Sequence, residues 1–210
     1  MSDAADRMGV SQRRVRQLIE DGNLPARIVA GRWLVQESAV RRAHPVSRPM
    51  SARMAWALIA LLSGQRPDVS PAELVRLRNK LRRLQEEDHP ARLLRSWLAR
   101  RAEPRAMRIA PVDLADLAAD HRVVASGISD PRSGMSSSGE FEGYLGFADF
   151  DEVVAEYLLS SSGPANVFLH LSDRPLARDD VPLGLVLADL ADHNLAREDS
   201  QVEQLLRGAA

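Results

Sequence analysis

The sequence predicts a mainly α-helical protein with a smaller α/β part. Three observations lead to this fold class. A short arginine-rich helix and a two-stranded pattern share the first 35 residues, residues 51–102 show helical periodicity throughout, and from about residue 108 candidate strands alternate with helices. We therefore expect three domains, at residues 1–44, 50–105 and 108–210.

A turn and a capping residue open the arginine-rich helix of the first domain. Gly9 supplies the turn, and Ser11 is a natural N-cap. The apolar residues that follow at helical spacing are Val15, Leu18 and Ile19. The stretch DGNLP then ends the helix, and two apolar runs around a bend at residues 30–31 predict a β-hairpin wing.

The opposite side of this helix carries polar residues suited to duplex DNA. Arg forms two hydrogen bonds to guanine, Gln forms two to adenine, and further arginines suit phosphates. The stretches AADRMGVS, VRQLI, GNLPA and GRWLV, in this order, resemble the excisionase-type (MerR-like) winged helix-turn-helix domains. The residues that we expect to contact DNA are Ser11, Gln12, Arg13, Arg14, Arg16, Gln17, Arg27 and Arg32. The alternative is a surface helix with a solvated arginine face.

Within the central arginine-rich segment, residues 50–105, residues 51–102 are predicted to be wholly helical. Ser51 caps a helix that runs to Gly64, and Ser70-Pro71-Ala72-Glu73 is a capping box that opens a helix to about Glu87. A third helix follows His89-Pro90. Their arginines either extend a phosphate-binding surface or form a solvated amphipathic face, and the sequence leaves both open.

The third domain, residues 108–210, is predicted to be a small α/β unit. Its candidate strands are RVVASGIS, FEGYLGF and ANVFLHL, and its candidate helices are PVDLADLAAD, DFDEVVAEYLL, VPLGLVLADLAD and REDSQVEQLL. The sequence leaves the strand order open.

Charge is divided unevenly along the chain. Residues 1–110 carry a net charge of +11 and residues 111–210 a net charge of −12, which together give the net −1 of the whole sequence. The basic half suits a polyanion, whereas the acidic half would be repelled by a duplex and suits another partner.

Composition excludes several classes of protein. The chain has no cysteine, so disulfides and thiolate chemistry are excluded. No apolar run reaches the ~20 residues that span a bilayer. We expect a cytoplasmic protein without membrane contact.

No pattern of catalytic or metal-binding residues stands out. The five histidines lack ligand spacing, SGMSSSG lacks the lysine of a phosphate-binding loop, and Ser126-Gly127 lacks the surrounding pattern of a nucleophile elbow. We expect no enzyme activity, no metal and no cofactor.

The C-terminal half resembles the antitoxins of abortive-infection (AbiEi-like) type IV toxin–antitoxin systems. The resemblance rests on VVASGIS, EGYLGF, Asn166-Val167 and the closing pattern at residues 187–206. It implies a winged helix that binds double-stranded DNA at the operon's own promoter. It also implies a C-terminal domain that counters a nucleotidyltransferase toxin.

These observations predict a sequence-specific repressor with antitoxin function. One module offers few base contacts, so we expect a homodimer or paired binding on repeats. The alternatives are a phage-type excisionase or architectural factor that bends DNA, an adaptor whose acidic half binds a protein, and an enzyme with a helix-turn-helix appendage.

Overall fold

The computed structural model describes residue 5 and residues 11–20, 26–29, 32–35, 48–135 and 139–208. The chain divides into two compact units, Met1–Val46 and Ser47–Ala210. It is mainly α-helical with a smaller α/β part, as the sequence predicts. None of the described helices is both long and apolar enough to cross a membrane.

The first unit contains one described helix and a β-hairpin. Helix α1 spans Gln12–Glu20, and strands β1 (Ala26–Val29) and β2 (Arg32–Val35) pair antiparallel, with Ala26 opposite Val35. The expected order of arginine-rich helix and hairpin is therefore confirmed. The predicted turn at Gly9 lies outside the described residues.

Three helices open the second unit, and the predicted caps are in place. Their bounds are α2, Ala52–Leu62; α3, Pro71–Glu86; and α4, Pro90–Leu98. The Ser51 side chain accepts a hydrogen bond from the Met54 amide. The Ser70 hydroxyl accepts from the Glu73 amide, and the Glu73 carboxylate accepts from the Ser70 amide at 2.9 Å, which completes the capping box.

Among the described residues, a four-stranded mixed sheet and four α-helices complete the second unit. The strands are β3, Glu103–Met107; β4, Val124–Ala125; β5, Phe141–Leu145; and β6, Val167–Leu171. The helices are α5, Leu114–Ala119; α6, Phe150–Glu156; α7, Leu183–His193; and α8, Ala196–Gly208. The strand order is β3-β6-β5-β4, in which only β5 and β6 run parallel.

Strand β3 begins directly after the residues predicted to be helical and overlaps the last three residues of the predicted segment 50–105. That segment is predicted to end at residue 105, whereas Glu103–Met107 pairs antiparallel with β6. The sequence EPRAM has no β-branched or aromatic residue, so propensity gives no indication of a strand. Pro104 is accommodated because β3 lies at the edge of the sheet, where an amide hydrogen is not required on the outer side.

The segments 50–105 and 108–210 form one compact unit in the structure. Helix α7 contacts α2, α4 and α8, so elements from both segments share one core. Its residues from Gly184 to Ala191 are all buried. A helix that is apolar around most of its circumference must pack against other elements on several sides, and α2 and α4 provide part of this packing.

Gly184 permits the close approach of α7 to α2. A Cβ atom at this position would lie 2.5 Å from the carbonyl oxygen of Ile59 and 2.9 Å from the Cβ of Leu62. The Gly184 amide donates a hydrogen bond of 2.9 Å to the hydroxyl of Ser63. Only glycine fits this contact without displacing the backbone of α2.

The two faces of the sheet differ in chemistry. One face is apolar and packs against residues from α5 and α6; its buried cluster consists of Met107, Ile109, Leu117, Val123, Phe141, Leu145, Val153, Leu159, Val167, Leu169 and Leu171. Because successive side chains alternate along a strand, the other face carries Glu142 and Tyr144 of β5 and His170 of β6. All three are buried.

Asn166, which contributes to the antitoxin resemblance, joins the start of β6 to the end of β3. Its side-chain oxygen accepts a hydrogen bond from the Ile109 amide at 2.9 Å, and its side-chain nitrogen donates to the Ile109 carbonyl at 3.1 Å. This residue therefore has a structural role in the sheet.

Candidate nucleic-acid interface and a buried polar cluster

Helix α1 presents polar side chains to solvent from a buried anchor. Val15 of α1 is fully buried, and Ala5, a helical residue that precedes α1 in the chain, is buried too. The side chains of Ser11, Gln12, Arg13 and Arg16 are exposed. Arg13 and Arg16 are three residues apart and are therefore neighbours on the helix surface. Two guanidinium groups and an amide on one exposed helix can form hydrogen bonds to base edges and phosphates.

The other four predicted contact residues have described backbone positions. Arg14 and Gln17 lie within α1, and Arg27 lies on β1 opposite Leu34. Arg32 is the first residue of β2 and pairs with the last residue of β1. Their side chains lie outside the described part of the chain. Their roles as DNA contacts stay predictions.

The second unit contains a buried polar cluster, which we define as Arg101, Ser126, Glu142, Tyr144, His170, Asp189 and His193; all are buried except His193, which is half-buried. Arg101 follows α4 and donates to Asp189 of α7 through Nε at 3.0 Å and Nη2 at 2.6 Å. Its Nη2 atom also donates to Asp192 at 2.6 Å. Burial alone would lower the pKa of Arg101, but the acidic neighbours raise it well above its ordinary value.

Asp189 accepts hydrogen bonds from three side chains. Besides Arg101, the Tyr144 hydroxyl donates to it at 2.8 Å, and the Ser126 hydroxyl donates to its second oxygen. A buried carboxylate is stable only where such donors replace water. The serine noted in the sequence is thus engaged by Asp189.

Glu142 is held between two imidazoles. Its Oε1 atom lies 2.8 Å from Nε2 of His170, and its Oε2 atom lies 3.0 Å from Nε2 of His193. The Ile128 amide also donates to Oε2, at 2.9 Å. Burial acts to raise the pKa of Glu142, but the two histidines outweigh it and lower the pKa to about 2.

Gly127 makes room for this carboxylate. Its φ of +53° lies in the left-handed region, and a Cβ atom there would lie 1.8 Å from Oε2 of Glu142. The sequence predicts a strand through VVASGIS. The structure ends that strand at Ala125 and places a 3₁₀ turn at Gly127–Ser129, because the chain turns around the carboxylate.

The buried polar cluster has ligand atoms that a metal ion could use. Glu142, His170 and Asp189 each offer one within 4.8 Å of the others. The guanidinium of Arg101 lies against Asp189, however, and the imidazoles lie against Glu142. These protein groups supply the positive charge that the two acids require, so the cluster is explained without a metal.

Sequence reasoning missed this cluster because its members are far apart in the chain. The alternating pattern of FEGYL could have pointed to it. Glu142 and Tyr144 share one side of a strand whose other side is apolar, and a strand that is buried on both faces requires partners for such polar groups.

Comparison with known proteins concerns the N-terminal part of the chain. Residues 1–43 match a family model that describes a helix-turn-helix domain. No curated protein and no solved structure matches the chain significantly. The family match supports the excisionase-like resemblance, whereas the resemblance of the whole chain to AbiEi-like antitoxins stays a prediction. The chain thus carries an N-terminal helix-turn-helix domain, a kind of domain that binds DNA.

Proposed function

We propose that this protein is a sequence-specific transcriptional regulator that binds the promoter of its own operon and represses it. The observation that carries the proposal is the exposed polar surface of α1, which is anchored by the buried Val15 and followed by the β1–β2 hairpin. A helix that presents Gln and Arg beside a hairpin suits the major groove and the adjacent phosphates.

We assign different roles to the contact residues. Ser11, Gln12, Arg13 and Gln17 would contact base edges in the major groove. The residues that would position the domain on phosphates are Arg14, Arg16, Arg27 and Arg32. A single domain of this size makes few base contacts, so useful affinity requires a homodimer or two copies on repeated half-sites.

We further propose that the protein is a cytoplasmic antitoxin that acts by binding rather than by catalysis. Its C-terminal part would counter a nucleotidyltransferase toxin. The residues that resemble antitoxins support this, and so does the acidity of α5 and α6. Exposed acids there suit a basic partner; they include Asp116 and Asp151, whereas Glu152 and Glu156 are paired with Arg122.

Binding to the DNA upstream of the protein's own gene tests the regulator proposal. We would measure fluorescence anisotropy with that duplex and with a duplex of equal length and shuffled sequence. The proposal expects binding to the upstream duplex at least tenfold tighter, with salt dependence in both cases. Equal affinity for both duplexes would contradict it and would leave the helix-turn-helix as an adaptor or a non-specific DNA-bending element.

The antitoxin proposal has a separate test. The product of the adjacent gene would be expressed alone and together with this protein. A neighbour whose toxicity disappears on co-expression supports the proposal. A neighbour without toxicity, or one that stays toxic, contradicts it while leaving the regulator proposal standing.

A further inference from the structure

Helix α3 of the second unit presents a surface of four exposed arginines. We define this α3 basic surface as Arg76, Arg78, Arg82 and Arg83. The buried side of the same helix carries Leu77 and Leu84; at about 100° per residue, Arg76 and Arg83 lie on one flank of that side, and Arg78 and Arg82 lie towards the other. Arg76 and Arg83 are seven residues apart, which places them on the same side, two turns or roughly 10 Å along the axis.

The arginines of the α3 basic surface are not paired with acidic side chains, although the exposed Glu86 lies on the last turn of the same helix. Within the part of the chain that the structure describes, none of its four arginines forms an ion pair. Seven arginines elsewhere in the unit are paired with acids: Arg53, Arg95, Arg101, Arg105, Arg122, Arg132 and Arg207. Glu73, on the first turn of α3, forms an ion pair with Arg53.

Helix α3 packs against Trp97 of α4 and is capped at its start. Trp97 of α4 is fully buried, with the Lys80 ammonium 4.0 Å and the Arg83 guanidinium 5.9 Å from its ring centroid. The capping box at Ser70 fixes the start of the helix. A preorganised cationic surface loses less conformational entropy when it binds a partner than a flexible cationic tail does.

We propose that the α3 basic surface binds the phosphate backbone of duplex DNA. Arginine is the side chain best matched to phosphate, because its planar fork forms two hydrogen bonds to the oxygens. The proposal rests on the proposed function, because DNA is the polyanion that the helix-turn-helix domain would bind. It adds a second, sequence-independent contact outside that domain.

Salt dependence of DNA binding by the full-length chain tests this proposal. The α3 variant combines Arg76→Ala, Arg78→Ala, Arg82→Ala and Arg83→Ala, all at exposed positions, and circular dichroism checks that it folds. One control replaces the same four residues by lysine. A second control removes exposed arginines elsewhere in the unit, through Arg197→Ala and Arg207→Ala on α8. Affinity is measured for the upstream and shuffled duplexes between about 50 and 200 mM KCl.

The α3 variant is expected to bind both duplexes at least tenfold more weakly. The plot of log affinity against log salt should become shallower by about 0.9 for each phosphate that the variant no longer neutralises, or about 2–4 in total. The lysine variant should retain most of the affinity, and the α8 variant should bind like the natural protein. An unchanged slope in the α3 variant, or an equal weakening in the α8 variant, would overturn the proposal.

Failure of this proposal can be distinguished from failure of the proposed function. If the natural protein does not prefer the upstream duplex, the regulator proposal fails, but the slope on the shuffled duplex still decides whether α3 contacts phosphates. If the preference is present and the α3 variant has an unchanged slope, only the α3 proposal fails. An acidic protein would then be the partner to seek for α3.

Discussion

Tyr144 on β5 and His170 on β6 lie opposite each other in register, with ring centroids 4.9 Å apart and ring planes inclined by 22°. The Tyr144 hydroxyl donates to Asp189, and the His170 ring bonds to Glu142. This stacked pair therefore links the two acids of the buried polar cluster. Because Asp189 lies on α7, the cluster joins the sheet to the central helix of the unit.

Replacement of Glu142 by glutamine should destabilise the second unit by about 2–4 kcal/mol, because a neutral amide cannot satisfy both imidazoles and the Ile128 amide. Urea unfolding would measure this loss of stability, with the fluorescence of the buried Trp56 and Trp97 as the signal. Glu140→Gln is the matched control, since Glu140 is exposed and only two residues away. Equal stability of the two variants would show that the cluster contributes little.

The contribution of Glu142, His170 and His193 to the stability of the second unit should be greatest between about pH 4.5 and 6.5, whereas Asp189, whose pKa is raised by burial, acts against Glu142 as the pH rises above 3.8. The pKa of Glu142 falls from 4.5 to about 2 on folding, so its contribution is present above pH 4.5 and is lost as the pH falls towards 2.

The histidines act in the opposite direction. Burial acts to lower the pKa values of His170 and His193, but Asp189 and Glu142 raise that of His170 above 6.5, and Glu142 raises that of His193. Their contribution is present below pH 6.5 and is lost as the pH rises through the folded-state values. Urea midpoints measured across pH test this, and His193→Gln should flatten the alkaline side. A profile unchanged by that variant would contradict the assignment.

Gly184→Ala should destabilise the second unit by about 1–3 kcal/mol, because the new methyl group meets the backbone of α2 at Ile59. Thermal unfolding would measure the change. Gly208→Ala is the control, since a Cβ atom at the end of α8 meets nothing within 4 Å. A neutral effect at Gly184 would mean that α7 and α2 are packed less closely than the structure shows.

Arg13→Ala and Arg32→Ala should affect DNA binding in different ways. Loss of Arg13 should relax the preference for one base, since it removes a base contact worth about 1–3 kcal/mol. Loss of Arg32 should weaken binding to all duplexes alike and make the salt slope shallower by about 0.9. Affinities for a set of single-base variants of the upstream duplex distinguish the two effects. Equal, sequence-independent losses would refute this division of roles.

Most elements of the fold could be predicted because each has a local cause in the sequence. The capping box at Ser70, the apolar period of α3 and the alternation of β6 all depend on neighbouring residues. Strand β3 could not be predicted in this way, since it is stabilised by its pairing with β6, about 60 residues away, and not by its own propensity.

The candidate sites differ in the same respect. The exposed face of α1 follows from helical spacing alone. The partners of Glu142 lie 28 and 51 residues further along the chain, at His170 and His193, and only the fold brings them together. No spacing rule along the sequence relates such residues.

The most direct test of the central claim is the ratio of the affinities for the upstream duplex and for its shuffled counterpart. This ratio would be measured at one moderate salt concentration, for the natural protein and for a Gln12→Ala/Arg13→Ala variant. We expect a ratio of at least tenfold for the natural protein and a ratio near one for the variant. A ratio near one for the natural protein would contradict sequence-specific regulation by this helix-turn-helix domain.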